Sequence, residues 1–411
     1  MSSITKQPKP RLLSAAQAAA RLGVKVETVY AYVSRGLLAR HDQPDQRSAK
    51  QSRFAAADVE RLATRGRRSP GLRATPLLVT SELTEIRAAG VYYRGQSALE
   101  LANTRCFEEI AEFLWAVPEQ ESRPFLAAKA AVALAHSVQN GMPEDALPLE
   151  RLRVIAAVLG SADALRYDTS HAPVVATARA LIAGMVESLP RLGERASDGA
   201  PLSARLWTRL TAARPNAARL RALDAALGLC ADHALSPSTL AVRIAASQRA
   251  DPYSLVQTGL GALGGALHGA ASLSAEELLR EVERGAEPSQ VIGLRLRRGE
   301  RIAGFGHALH ASGDPRASAL LLQLSAAFGS KHLAAAVSVQ DVMHTRGLPA
   351  PNIDFALAAL ARAAHMQPGA SEAILAIARV AGFIAHGLEE YARPSEFPWH
   401  TLYVGVRADG G

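Results

Sequence analysis

The sequence predicts an all-α protein: a body of alanine-rich helices preceded by a small basic helix-turn-helix head. Three observations carry this expectation. From about residue 95 onward apolar residues recur at three-to-four spacing. Aromatic residues make up only 5% of the chain and β-branched runs are short. Residues 1–75 hold 15 Lys or Arg against 5 Asp or Glu, while the remainder is close to neutral, so the net charge of +8 belongs to the head. With 48% hydrophobic residues over 411 positions, the chain can bury a large core, and disordered or collagen-like classes are excluded.

In the head, Ser14 is placed to cap a helix in which Leu13, Ala16, Ala20 and Leu22 can share a face, and Gly23 ends it. A second helix runs from Val26 to Arg35 and is closed by Gly36, a three-residue turn after the first. A basic stretch from Arg40 to Arg53 follows, then Phe54 and a helix opening at Asp58-Val59-Glu60-Arg61-Leu62. The segments RLGVKVETVYAYVSRGLL and RFAAADVERL resemble the MerR/excisionase-type winged helix-turn-helix family over about 55 residues. That resemblance implies double-stranded DNA as a partner. It puts Lys25, Thr28, Tyr30 and Arg35 near bases or phosphates and Arg47, Lys50 and Arg53 on a wing. A packed basic module that docks a protein instead is the alternative reading. The head spans residues 1–64, and the Gly/Pro/Arg-rich segment 65–75 reads as a linker.

In the body, Leu77–Thr80 and Gly90–Arg94 are the only segments expected to pair as strands. Helical windows cover 97–116, 123–138, 149–164, 174–188, 217–231, 238–247 and 371–392. The long uncharged stretch Ser254–Ala275 carries five glycines together with Gln257, Thr258 and His268, and so reads as a buried helix entering a functional loop and not as a membrane span. Cys106 and Cys230 form no CxxC pair, so neither a disulfide framework nor a metal site is expected. Two such cysteines, and a start without an apolar run, fit a reducing cytoplasm.

Four loops concentrate Gly, His, Asp and Arg beyond what a helical core requires: Ala231-Asp232-His233; Leu267-His268-Gly269; Gly304-Phe305-Gly306-His307 with Asp314-Pro315-Arg316; and Asn352-Ile353-Asp354. Taken singly, each is an ordinary turn or cap. Glycines beside His268 and His307 let backbone approach a ligand, and arginine forks suit carboxylates.

In family order, the segments ADHALSPST, GGALHGAAS, IAGFGHALHASGDPRA, NIDFALAAL and ILAIARVAGFIAHGLEEY, with GVYYRGQSALELANTRCFEEIAEFLW before them, resemble the citrate synthase family over residues 76–411. The resemblance implies a homodimer with a large domain (76–271 and 377–411) and a small domain (272–376). It would condense oxaloacetate with acetyl-CoA or a similar short-chain acyl-CoA. The thioester is a substrate, and neither cofactor nor metal is called for. Carried over, the catalytic trio falls on His268, His307 and Asp354. Asp354 would be the base on the acetyl methyl, His268 the donor to the thioester oxygen, and His307 the donor to the acceptor ketone. Arg316, Arg379 and Arg393 with His233 would hold the acceptor carboxylates, Arg393 reaching across the dimer.

The chain departs from the family at Ala311, where a basic residue normally meets a coenzyme A phosphate and where only His310 is near. Arg298 and Arg301 are the candidates to take over phosphate, with Arg295 and Arg297 beside them. Ser236 stands for the usual Asn, Ser238 keeps the serine that supports the histidine loop, and Ala266 and Ser272 replace a common Pro and Asn. Two further readings stay open. One is a 2-methylcitrate synthase; the other is a DNA-binding regulator whose body senses oxaloacetate or citrate.

Overall fold

A computed structural model describes residues 12–22, 24–34, 38–40, 52–56, 58–59, 79–87, 90–197, 199–266, 268–307, 309–310 and 313–393. The chain separates into two compact units, residues 1–78 and 79–411.

In the first unit, helices Ala15–Leu22 and Val26–Ser34 lie three residues apart. The Ser14 hydroxyl accepts the Gln17 N–H at 3.2 Å while Gln17 Oε1 accepts the Ser14 N–H at 2.9 Å, a reciprocal cap that starts the first helix. The expected inner face is corrected. Ala15, Ala18 and Ala19 are buried, Ala16 and Ala20 are exposed, and Leu13 belongs to a strand. In so alanine-rich a helix, hydrophobicity barely distinguishes one face from another, and tertiary packing sets the phase. That strand, Leu12–Ser14, pairs antiparallel with Arg53–Ala55, placing Leu13 opposite Phe54. Phe54, Val29, Leu38 and Val59 close a small core over the alanines. Residues 58–59 are helical; the rest of the third expected helix and the linker lie outside the described residues.

The second unit opens with a three-stranded antiparallel sheet, Thr84–Arg87, Gly90–Tyr93 and Gln96–Ser97. The expected partner of Gly90–Tyr93 is thereby corrected from 77–80 to Thr84–Arg87. The register sets Arg87 against Gly90, so fewer residues separate the paired strands than would separate residue 80 from Gly90, and the closure costs less chain entropy. The window 97–116 is two helices, Ala98–Thr104 and Phe107–Leu114. The break follows from local capping: Glu109 Oε2 accepts the Cys106 N–H at 2.8 Å and starts a new helix there.

Helices Lys129–Gln139, Pro148–Ser161, His171–Ser188, Leu202–Leu210 and Ala217–Cys230 follow, then Pro237–Ser247, Pro252–Leu263, Ala270–Glu283, Pro288–Arg297, Pro315–Phe328, Ala334–Thr345, Ile353–Ala363 and Ala370–Tyr391. The last is long and apolar enough to cross a bilayer by length and composition, yet its most apolar window is 94% buried within the fold. Burial on all sides marks it as the central core helix. Trp115 Nε1 donates to the Ala381 carbonyl at 2.9 Å, and the Gly382 N–H donates to the Ala231 carbonyl at 3.0 Å. A Cβ at Gly382 would stand 2.6 Å from that carbonyl oxygen, so glycine alone lets the helix approach the Ala231–His233 loop.

Candidate active site

The four polar loops meet around this helix. The Tyr93 hydroxyl stands 3.1–3.2 Å from the carbonyl oxygens of Gly228, Leu229 and Asp232, stapling the end of helix Ala217–Cys230 before His233. Beneath it, Asp232 lies 3.3 Å from His386 Nε2. His386 Nδ1 faces the wholly buried Arg243, which pairs with Glu389 at 2.7 Å and Glu390 at 2.6 Å. Burial alone would raise the Asp232 carboxyl, but nearby His386 holds it below the ordinary range.

His233 is held neutral, its pKa driven far down by burial and then by Arg316 and Arg379. Its Nε2 is buried and has no hydrogen-bond partner among the described residues.

His268 follows helix Pro252–Leu263 in a turn fixed by two bonds, His268 N–H to the Gly265 carbonyl and Gly269 N–H to the Leu263 carbonyl. Ser238 Oγ stands 2.8 Å from His268 Nε2. With the hydroxyl donating there, Nδ1 carries the ring proton. Burial, helped by Arg379, lowers the imidazole to about 4, so it is neutral at pH 7.

His307 Nδ1 accepts the Leu309 N–H at 3.1 Å, which leaves its proton on Nε2. Burial and Arg316 lower its pKa as well.

Asn352 explains the NxD spacing. Its Oδ1 caps helix Ile353–Ala363 by accepting the Asp354 N–H at 3.0 Å, and its Nδ2 donates to the Gly306 carbonyl at 2.9 Å. One side chain thus locks the His307 loop to the turn carrying Asp354. Gly304, at φ +82°, is required here because a Cβ would lie 2.8 Å from that of Phe355. Half-buried Asp354 accepts a hydrogen bond from Ser272 Oγ at 2.5 Å. Burial raises its pKa against the lowering effects of Ser272 and Arg316.

Asp314 caps helix Pro315–Phe328 and binds Arg316 through both oxygens, to Nε at 3.0 Å and Nη2 at 2.8 Å, while also accepting the Ile353 N–H at 3.1 Å. Burial would lower the Arg316 pKa, but Asp314 more than offsets it, so the guanidinium stays charged inside the protein. Arg379 donates Nε to the Cys230 carbonyl at 3.0 Å and points Nη1 toward Ser236 Oγ at 3.5 Å. Arg316 acts electrostatically on His233, His307 and Asp354, and Arg379 on His233, His268 and Asp354. The sequence-predicted trio, His233 and two arginines therefore share one cluster.

The third arginine does not join them. Arg393 binds the Thr80 carbonyl at 2.6 Å and Glu390 at 3.3 Å. Arg298 is exposed, 3.9 Å from Glu300, and Arg301 is exposed nearby, whereas Arg295 is committed to Glu281 at 2.6 Å. Ala311 lies outside the described residues. In the head, Lys25 is exposed, Thr28 is half-buried and Tyr30 packs on the small core, while Arg53 is an exposed strand residue. Arg35, Arg47 and Lys50 lie outside the described residues. Sequence reasoning missed His386 and Arg243; it noted Ser272 only as replacing a common Asn, and His310 only as the residue near Ala311.

The citrate synthase C-terminal domain family matches residues 71–396, and the helix-turn-helix domain family matches residues 12–67. Citrate synthase 2 of Bacillus subtilis is 28% identical over 335 residues, covering 76% of this chain and 89% of its own. A 2-methylcitrate synthase of Shewanella oneidensis is 26% identical over 369 residues, covering 85% of this chain and 97% of its own. Among solved structures, citrate synthase from Thermotoga maritima superposes with a TM-score of 0.66 at 24% identity, over 82% of this chain and 96% of that one. The Thermoplasma acidophilum enzyme, in a ternary complex with carboxymethyl coenzyme A and oxaloacetate, gives 0.67 at 21% identity, over 81% and 95%. A domain match over most of the body, with the loops assembled as described, leads to one conclusion: the chain belongs to the citrate synthase family, with a helix-turn-helix domain ahead of the citrate synthase fold.

Proposed function

We propose that the body is an acyltransferase that condenses oxaloacetate with acetyl-CoA, or with a close short-chain acyl-CoA such as propionyl-CoA, to a citrate-type product and free CoA. The observation carrying this reading is the joint placement of a carboxylate, two neutral imidazoles and two buried guanidinium groups. Asp354 takes a proton from the carbon next to the thioester carbonyl. Nδ1–H of His268 stabilises the oxygen of the forming enol, and Nε2–H of His307 stabilises and then protonates the acceptor ketone oxygen. Arg316, Arg379 and His233 meet the acceptor carboxylates. In a homodimer, Arg393 of the partner subunit would complete that set. The arrangement asks for no metal or cofactor beyond the thioester substrate, whose phosphates the exposed Arg298 and Arg301 suit. Residues 76–271 with 377–411 form the large domain in this reading, and 272–376 the small domain that closes on it. Two free cysteines suit a cytoplasmic location. Thiol release measured with a panel of acyl-CoAs and 2-oxo acids tests the reading. No turnover with acetyl- or propionyl-CoA at millimolar oxaloacetate overturns it.

A second reading rests on the head: a regulator that binds double-stranded DNA and couples it to oxaloacetate or citrate bound by the body. The helix-turn-helix match and exposed Lys25 favour it. Two heads on a dimer would address half-sites about 34 Å apart. Duplex selection followed by salt titration tests it, and the absence of salt-sensitive binding overturns it.

A further inference from the structure

We infer that His310 is a further substrate-contacting residue of the cluster, donating a ring N–H to a carboxylate of the acceptor; this rests on the condensation proposed above. His310 is only 3% exposed. Both its ring nitrogens are shut off from solvent and have no hydrogen-bond partner among the described residues. An imidazole always presents at least one N–H donor, and burying a polar group unpaired is costly, so such a ring implies a partner that arrives from outside.

The surroundings say what that partner is. The His310 ring centre lies 4.8 Å from that of His307 and 6.4 Å from that of His233, whose Nε2 is equally unpartnered. Among the described residues, no group of three His, Cys, Asp or Glu is arranged to hold a metal ion. The cluster instead combines N–H donors with Arg316, which bears on His233 and His307, and the nearby carboxylate of Asp314 is already committed to Arg316. An anion is the complement.

Arg316 and Arg379 do not bring all of their donors to an acceptor. Arg316 commits Nε and Nη2 to Asp314, and Arg379 commits Nε to the Cys230 carbonyl. His310 adds a donor to those of Arg316, Arg379 and His233, favouring a 2-oxo acid with a second carboxylate over one without. Its position three residues after His307 in the same loop ties the two contacts together.

The test is calorimetric titration of the full chain with fresh oxaloacetate, alongside steady-state kinetics, for the wild type, His310→Phe and His310→Gln. The expected result is that His310→Phe raises both Kd and KM for oxaloacetate tenfold or more and shifts KM for the acyl-CoA less than threefold. It should also narrow the preference for oxaloacetate over 2-oxobutanoate. His310→Gln, which keeps an N–H donor, should recover most of the loss. If thermal melting shows His310→Phe unfolded, His310→Met takes its place. An apolar variant that folds and binds oxaloacetate within twofold of the wild type overturns this inference alone. A wild type that neither binds nor turns over oxaloacetate overturns the proposed condensation and this inference with it.

Discussion

Ser272 Oγ donates to Oδ1 of Asp354 at 2.5 Å, across 82 positions of sequence. The bond favours the ionised carboxylate, while burial favours the protonated form. In the condensation proposed above Asp354 is the base and must be ionised to act, so activity should be lost as pH falls through the Asp354 pKa. Ser272→Ala removes the stabilising donor and should move the acid limb of the kcat/KM profile to higher pH. A hydrogen bond to a charged group is worth about 1.5–3 kcal/mol, which bounds the shift at about one to two pH units. An unmoved acid limb would show that Ser272 does not tune the base.

Asp354 itself separates catalysis from the head. Asp354→Ala should lower thiol release by a factor of about 10²–10⁴, the usual contribution of a positioned base, while leaving duplex binding at the wild-type level. Joint loss of both, with an altered far-ultraviolet circular dichroism spectrum, would point to misfolding.

The imidazole of His268 links the site to stability. Its pKa falls from 6.5 to about 4 on folding, so the unfolded chain binds the proton more tightly. The stabilising contribution is complete above pH 6.5 and is lost as pH drops toward 4. A shift of this size corresponds to something on the order of 3 kcal/mol before solvent screening reduces it. Urea midpoints should fall across that window for the wild type and fall less for His268→Gln, and equal pH slopes would refute the assignment.

Gly382 is a packing test independent of any activity. With the Ala231 carbonyl 2.6 Å from a built Cβ, Gly382→Ala forces the central helix away from the His233 loop. Overpacking of this kind costs about 1–3 kcal/mol and should lower the melting temperature measurably. A melt unchanged within error would mean that the helix yields without cost.

For the head, Lys25→Ala should weaken duplex binding almost equally across sequences and reduce the slope of log K against log salt by about one. A loss confined to one sequence would instead identify Lys25 as a base contact.

Much of this was legible in the sequence because the chemistry is packed into short loops. The Gly304–His307 run, Asp314-Pro315-Arg316 and Asn352-Ile353-Asp354 are each a few residues long, and their joint order along the chain carries the family resemblance that marks them. The face of helix Ala15–Leu22 and the partner of strand Gly90–Tyr93 were misjudged for the opposite reason. A run of alanines has little periodic contrast, and strand pairing depends on which loop closes most easily.

The order of the motifs and the basic head were legible in the sequence alone, because turns, caps and charge are properties of neighbouring residues, and the candidate trio came from the resemblance that those motifs carry. How far His268 is lowered, what steadies Asp354, and the unpaired state of His310 were decided only by the tertiary structure. Those properties depend on burial and on groups brought from distant positions, such as Ser272, Arg316 and Arg379, and neither solvent exclusion nor a through-space contact is written in local spacing.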